Sequence, residues 1–238
     1  MYQDFNEYEK FYESELGKNI KYFISLELKK YIYLYKGENF GSFGFSHPFL
    51  NFLDNRDIKI FNCYSEKMGI KKDIINSQHA NILLEEDRLP IEDLFFNHIL
   101  CIHYLENSNN LKKTIREIWR VLAPEGRAYI ILPNKKSSWN ISASSPFSSG
   151  FGFSKKQIAN IFDENFFETQ FISRLIYFPP WNLRLLFKNK FFFEKIGSYF
   201  WRFFNGVYLC VVKKRIYAAP KTKSLSFSNR IKIFQKNN

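Results

Sequence analysis

The chain has 238 residues, 45% of them hydrophobic, enough for one substantial core and short for two independently folded domains. A formal net charge of +12 favours weak attraction to nucleic acid or an anionic surface. The three cysteines, Cys63, Cys101 and Cys210, are widely spaced between apolar neighbours, which excludes a disulfide framework or a metal knuckle and marks them as small buried hydrophobes.

No stretch reaches about 18 uncharged apolar residues, the length a membrane-spanning helix needs. The acid-bearing start MYQDFNEYEKFYESELG fits neither a secretory signal nor a basic transit peptide, so a cytoplasmic location is expected.

From Tyr8 to Leu34 apolar residues recur at three- and four-residue spacing, interrupted only by Gly17, which predicts one or two amphipathic helices (8–30) ahead of the core. An apolar run from Tyr31 then passes into GENFGSFGFSHPFL (37–50), and DIKIFNCY (57–64) follows; the order predicted is strand, turn, short helix, strand. Two more short apolar runs, 81–84 and 98–104, flank an acidic connection, and a helix is expected over about 109–122.

Ala123-Pro124-Glu125-Gly126 stops that helix, because proline cannot continue it and glycine supplies the turn, and RAYIILP (127–133) reads as a buried strand. A Ser- and Gly-rich loop (134–154), a helix (155–167), an aromatic segment (177–204) and a last strand in 206–217 complete the pattern. Beyond Pro220 the segment 221–238 is polar and basic and is expected to be a disordered tail after a single domain spanning 1–220. Strands alternating with helices imply an α/β fold with a mainly parallel sheet covered on both faces.

In such a sheet ligands bind beyond the carboxyl ends of the strands. Three connections there carry candidate residues. Ser42, Gly44, Ser46 and His47 follow the first strand, where small side chains let a ligand approach the backbone. Glu85, Glu86 and Asp87 follow the third, where carboxylates can accept hydrogen bonds from an amine or a hydroxyl. His103 and Glu106 follow the fourth.

Taken together, FYESELG (11–17), SFGFSHPFL (42–50), HYLE (103–106), EIWRVLAPEGR (117–127), PNKKSSW (133–139) and YFPP (177–180) resemble the class I S-adenosylmethionine-dependent methyltransferases of type 11. Within these they are similar to a bacterial group typical of alphaproteobacteria. The resemblance covers about residues 11–220 and implies a Rossmann-like sheet with a cofactor-binding core at 31–133 and a substrate-side half at 134–217.

The resemblance further implies S-adenosyl-L-methionine as cofactor. Ser42, Gly44 and Ser46 would line its methionine part, Glu85, Glu86 and Asp87 would lie near adenine or ribose, and His103 would face the sulfonium. His103, then His47, are the candidate general bases, with Glu106 as a partner, and Asn134 and Trp139 are candidate acceptor contacts. The acceptor, a small molecule on this reading, is not named by any motif.

The chain departs from the family pattern at Phe40, which replaces an acid; at Ser42, which replaces a glycine; at Asn97; and at Asn62 and Cys63, where an acid is expected to close the second strand. A scaffold that has lost its methyl donor therefore stands as an alternative. A nucleic-acid methyltransferase is a weaker one, because the chain lacks an Asn/Asp-Pro-Pro-Tyr signature after the fourth strand.

Overall fold

The computed structural model describes residues 4–53, 57–70, 80–142, 145–180 and 205–216. The basic segment 221–238 and most of the aromatic segment 177–204, including Trp181 and Trp201, lie outside them.

The chain begins with two helices, α1 (Phe5–Glu13) and α2 (Glu15–Leu28). Asp4 caps the first by accepting from Glu7 N at 2.9 Å, and Ser14 caps the second by accepting from Gly17 N at 3.0 Å. The break therefore falls at Ser14, whose extended backbone ends one helix and starts the next. Gly17 does not interrupt the helix; a side chain there would run into Phe11 O and Tyr12 Cα, so the glycine lets α2 start tight against the end of α1.

Seven strands follow: β1 (Asn39–Gly44), β2 (Lys59–Ser65), β3 (Ala80–Leu84), β4 (Phe96–Ile102), β5 (Leu122–Pro133), β6 (Phe167–Leu175) and β7 (Val207–Lys214). Between them lie α3 (Leu111–Val121), a single helical turn α4 (Ser138–Ile141) and α5 (Lys155–Glu164). The strand order is β3-β2-β1-β4-β5-β7-β6, with β1 to β5 parallel and β7 antiparallel to both neighbours.

This is the expected α/β class, and the helices do cover both faces. Tyr8, Tyr12, Ile20 and Ile24 from α1 and α2 pack on one face with Phe40, Leu100 and Tyr129. Ile115, Ile118, Ile158 and Phe162 from α3 and α5 pack on the other with Phe43, Cys63, Cys101 and Ile130.

Besides Ala123 to Gly126, which was read as a turn ahead of the strand and lies within β5 where its register against β4 shifts, two elements differ from the sequence reading. The apolar run from Tyr31 is not the first strand; Tyr33 and Tyr35 are 64% and 76% exposed, and the strand is the Gly- and Ser-containing segment itself. Small residues suit a central strand here, because a side chain at Gly41 would meet the rings of Phe43 and Phe96. The other difference is β6, which was not anticipated. It is an edge strand paired only with β7 and half-buried along most of its length, so FETQFISRL shows no sharp two-residue period.

Among the described residues no helix is long and apolar enough to cross a membrane.

Candidate functional site

The strand order reverses between β1, which leads to β2 and β3, and β4, which leads to β5. Past the carboxyl ends of these strands, the place where open α/β sheets hold ligands, two clefts adjoin. The inner one, about 250 Å³, is lined by Ser65 and Glu66 at the end of β2, by Leu84 to Asp87 after β3, and by Ser108 to Asn110 before α3. The outer one, about 700 Å³, shares Lys67, Ser108 and Asn109 with it and continues along Glu106, Asn107, Ser149, Gly150 and Phe151.

The inner cleft is acidic. Glu66, Glu85 and Asp87 are exposed in it, whereas Glu86 is buried, accepting from Ser65 Oγ at 2.8 Å with Lys67 Nζ at 3.8 Å. A wall carrying carboxylates presents acceptors to hydroxyl and amine donors and attracts a cation.

Glu66 is the residue that sequence reading missed. A closing acid was sought at Asn62 and Cys63, but the strand runs to Ser65 and Glu66 stands immediately beyond. The missed signal was the polar step from Tyr64 to Ser65-Glu66, which continues the β2 register against Leu84.

The glycine segment serves the backbone instead. Gly44 has φ +70°, and a side chain on it would collide with Ile102 O, with His103 O and Tyr104 Cβ at 3.0 Å. Ser46 Oγ donates to Phe43 O at 2.5 Å and accepts from Ile102 N at 2.9 Å, tying the turn after β1 to β4. Ser42 lies within β1 with its Oγ buried and unpaired. None of the three lines either cleft.

His47 packs parallel to the Phe5 ring at 5.7 Å, and burial pulls its pKa down to about 4. His103, fully buried with φ +56°, stacks on Tyr8 at 4.5 Å. Its Nε2 lies 2.7 Å from the Tyr12 hydroxyl and its Nδ1 3.2 Å from Glu106 Oε1. Burial raises the Tyr12 hydroxyl well above its ordinary pKa, so Tyr12 keeps its proton.

Asn134 and Trp139 do not come together with the acids. Asn134 Nδ2 donates to Asn205 O at 2.9 Å, and Trp139 Nε1 donates to Phe178 O at 2.7 Å; both are buried scaffold contacts. The three cysteines are buried and unpaired.

Residues 62–130 match the family model for a methyltransferase domain. This stretch is similar to a methyltransferase domain, and it sits in a sheet of the class I methyltransferase fold. The matched stretch runs from β2 into β5 and contains Glu66, Glu85 to Asp87, His103 and Glu106, while the glycine segment of β1 lies outside it.

Solved structures agree on the fold. One chain of the complex between the Haloferax volcanii Trm112 methyltransferase activator and its presumptive methyltransferase is 16% identical, with 90% of this chain and 98% of that one covered and a TM-score of 0.62. The (4+2)-cyclase SpnF is 14% identical over 82% and 80%, with a TM-score of 0.60. A Thermotoga maritima S-adenosylmethionine-dependent methyltransferase, titled a possible histamine N-methyltransferase, is 14% identical over 88% and 95%, at 0.59. No curated protein matches the chain.

Proposed function

We propose that this methyltransferase domain transfers a methyl group from S-adenosyl-L-methionine to a small-molecule acceptor. The observation that carries this reading is the acidic inner cleft, placed past the carboxyl ends of β2 and β3 and lying wholly within the stretch that matches the family.

The donor set fits the nucleoside end of the cofactor. Glu66, at the end of the second strand, is placed to accept from ribose hydroxyls, and Glu85 and Asp87, past the third, from the adenine amine. When bound, the cofactor supplies a methyl group on a cationic sulfonium. The chain's own part is to attract that cation with the carboxylates, to align donor and acceptor and to exclude water, which is the main source of rate in an in-line displacement. Gly44 and Ser46 support this by holding the end of β1 against β4 and so shaping the edge at which the ligand sits.

Titration calorimetry with S-adenosylhomocysteine tests the reading. The wild type should bind, and Glu66→Ala should weaken binding by about tenfold, the worth of a hydrogen bond to a charged group. A folded wild type that does not bind removes the donor site.

One observation favours a second reading. Phe5, Tyr8 and Tyr12 of α1 pack around Phe45, His47 and His103, filling the space next to the turn after β1. A scaffold that has given up the methyl donor accounts for that filling, and absent binding of S-adenosylhomocysteine would favour it.

A further inference from the structure

Glu106 is 1% exposed and stands in the wall of the outer cleft. Its Oε1 is engaged by His103 Nδ1, while its Oε2 is buried without a hydrogen-bond partner. The arrangement that gives every proton an acceptor runs Tyr12 O–H to Nε2, then Nδ1–H to Oε1. Glu106 is then oriented through Oε1, and its second oxygen, buried behind the cleft wall, has no hydrogen-bond partner.

A buried carboxylate oxygen with no partner is a place for a donor, and a charged one is the better match. The outer cleft adjoins the acidic inner one and has an aromatic lip, since Phe151 is 69% exposed beside it. Phe151 N also donates to Glu106 O at 2.8 Å, so the loop carrying that ring is fastened to the same residue.

We propose that Glu106 receives the methyl acceptor and that the acceptor is a small aliphatic or arylalkyl amine, held in the outer cleft as its ammonium ion. This rests on the methyltransferase reading for its reaction but not for its binding. An ammonium N–H donates to Oε2 and then passes its proton there; the electron pair of that N–H bond stays on nitrogen, which becomes nucleophilic, and the resulting carboxylic acid returns the proton to solvent. His103 and Tyr12 are positioning residues, fixing the carboxylate without touching the acceptor.

The test is calorimetric titration of phenethylamine, with phenethyl alcohol as its neutral counterpart, into wild type and Glu106→Gln, each with and without S-adenosylhomocysteine. The amine should bind the wild type, the alcohol at least about tenfold more weakly, and Glu106→Gln should lose about tenfold for the amine alone. Equal affinities in the two proteins, equal affinities for the two probes, or no amine binding to the wild type each overturn the proposal.

Should Glu106→Gln not fold, the imidazole nitrogen chemical shifts of His103 in the wild type decide the matter. They should move with the amine and not with the alcohol, and no movement overturns the proposal. Amine binding without S-adenosylhomocysteine binding would sink the donor site and leave Glu106 standing; the reverse would sink Glu106 alone.

Discussion

The Tyr12 hydroxyl meets His103 Nε2 at 2.7 Å across 91 residues of chain, joining the first helix to the turn after the fourth strand. Both side chains are buried, so the bond has no competition from water, and its loss strands a ring nitrogen.

Tyr12→Phe keeps the ring, which packs against Phe45 and Phe49 at 5.5 and 5.1 Å, and removes only the hydroxyl. The variant should lose about 1–3 kcal/mol, the cost of a buried polar atom without its partner. Urea unfolding would show a lower midpoint with an unchanged slope; an unchanged midpoint would mean that Nε2 finds another donor.

His47 gives the fold an acid sensitivity. Its folded pKa is lowered from 6.5 to about 4 by burial, so between these values the unfolded chain binds the proton and the folded one does not. Stability from this residue is therefore complete above the unfolded value and falls with pH down to about 4, by a total of about 3 kcal/mol. His47→Phe, which retains an aromatic ring beside Phe5 and Tyr64, should flatten stability measured between about pH 7 and pH 5. An unchanged slope would assign the acid sensitivity to other groups.

The most specific block of the sequence, EIWRVLAPEGR, turns out to hold the loop behind the acidic cleft. Arg120 donates through Nε and Nη2 to Glu117, through Nη1 to Ile91 O and Asp93 at 2.8 and 2.6 Å, and through Nη2 to Leu89 O at 2.9 Å. Glu117 in turn accepts from Leu89 N at 2.9 Å, and its contacts with Arg120 hold its pKa below the usual carboxylate value. Lysine cannot reproduce this planar fork. Arg120→Lys should cost about 2 kcal/mol in thermal or urea unfolding, and should weaken binding of S-adenosylhomocysteine because Glu85 to Asp87 belong to the same connection. Full affinity in the destabilised variant would separate the fork from the cleft.

The parallel core was legible because its strands are buried on both faces and read as apolar runs: HILCIHY and RAYIILP could hardly be anything else. Edge strand β6 was not, since its residues are half-exposed and pair on one side only. The acids at 85–87 were singled out from their place after a strand, and Glu66 was overlooked because the acid closing β2 was sought at Asn62 and Cys63, three residues too early. His103 and Glu106 were found as a pair, yet only the fold shows that Tyr12, far away in sequence, completes them. Asn134 and Trp139 drew notice as polar and aromatic loop residues, but such residues serve equally well to anchor a loop, as both do here.

Gly44 separates a structural role from a binding one most directly. At φ +70° it occupies the left-handed region, and the space a side chain would need is taken by the backbone of Ile102 and His103, which cannot swing aside as a flexible side chain would. Gly44→Ala should therefore cost about 2–4 kcal/mol, from backbone strain and from forcing β1 away from β4. That loss should appear in the absence of any ligand. Glu66→Ala should do the opposite, since its exposed side chain contributes little to the fold: near-normal unfolding with weakened binding of S-adenosylhomocysteine. Unfolding midpoints and calorimetric affinities for the two variants check both claims. A Gly44→Ala protein of normal stability that has lost only ligand affinity would return the glycine to the cofactor site.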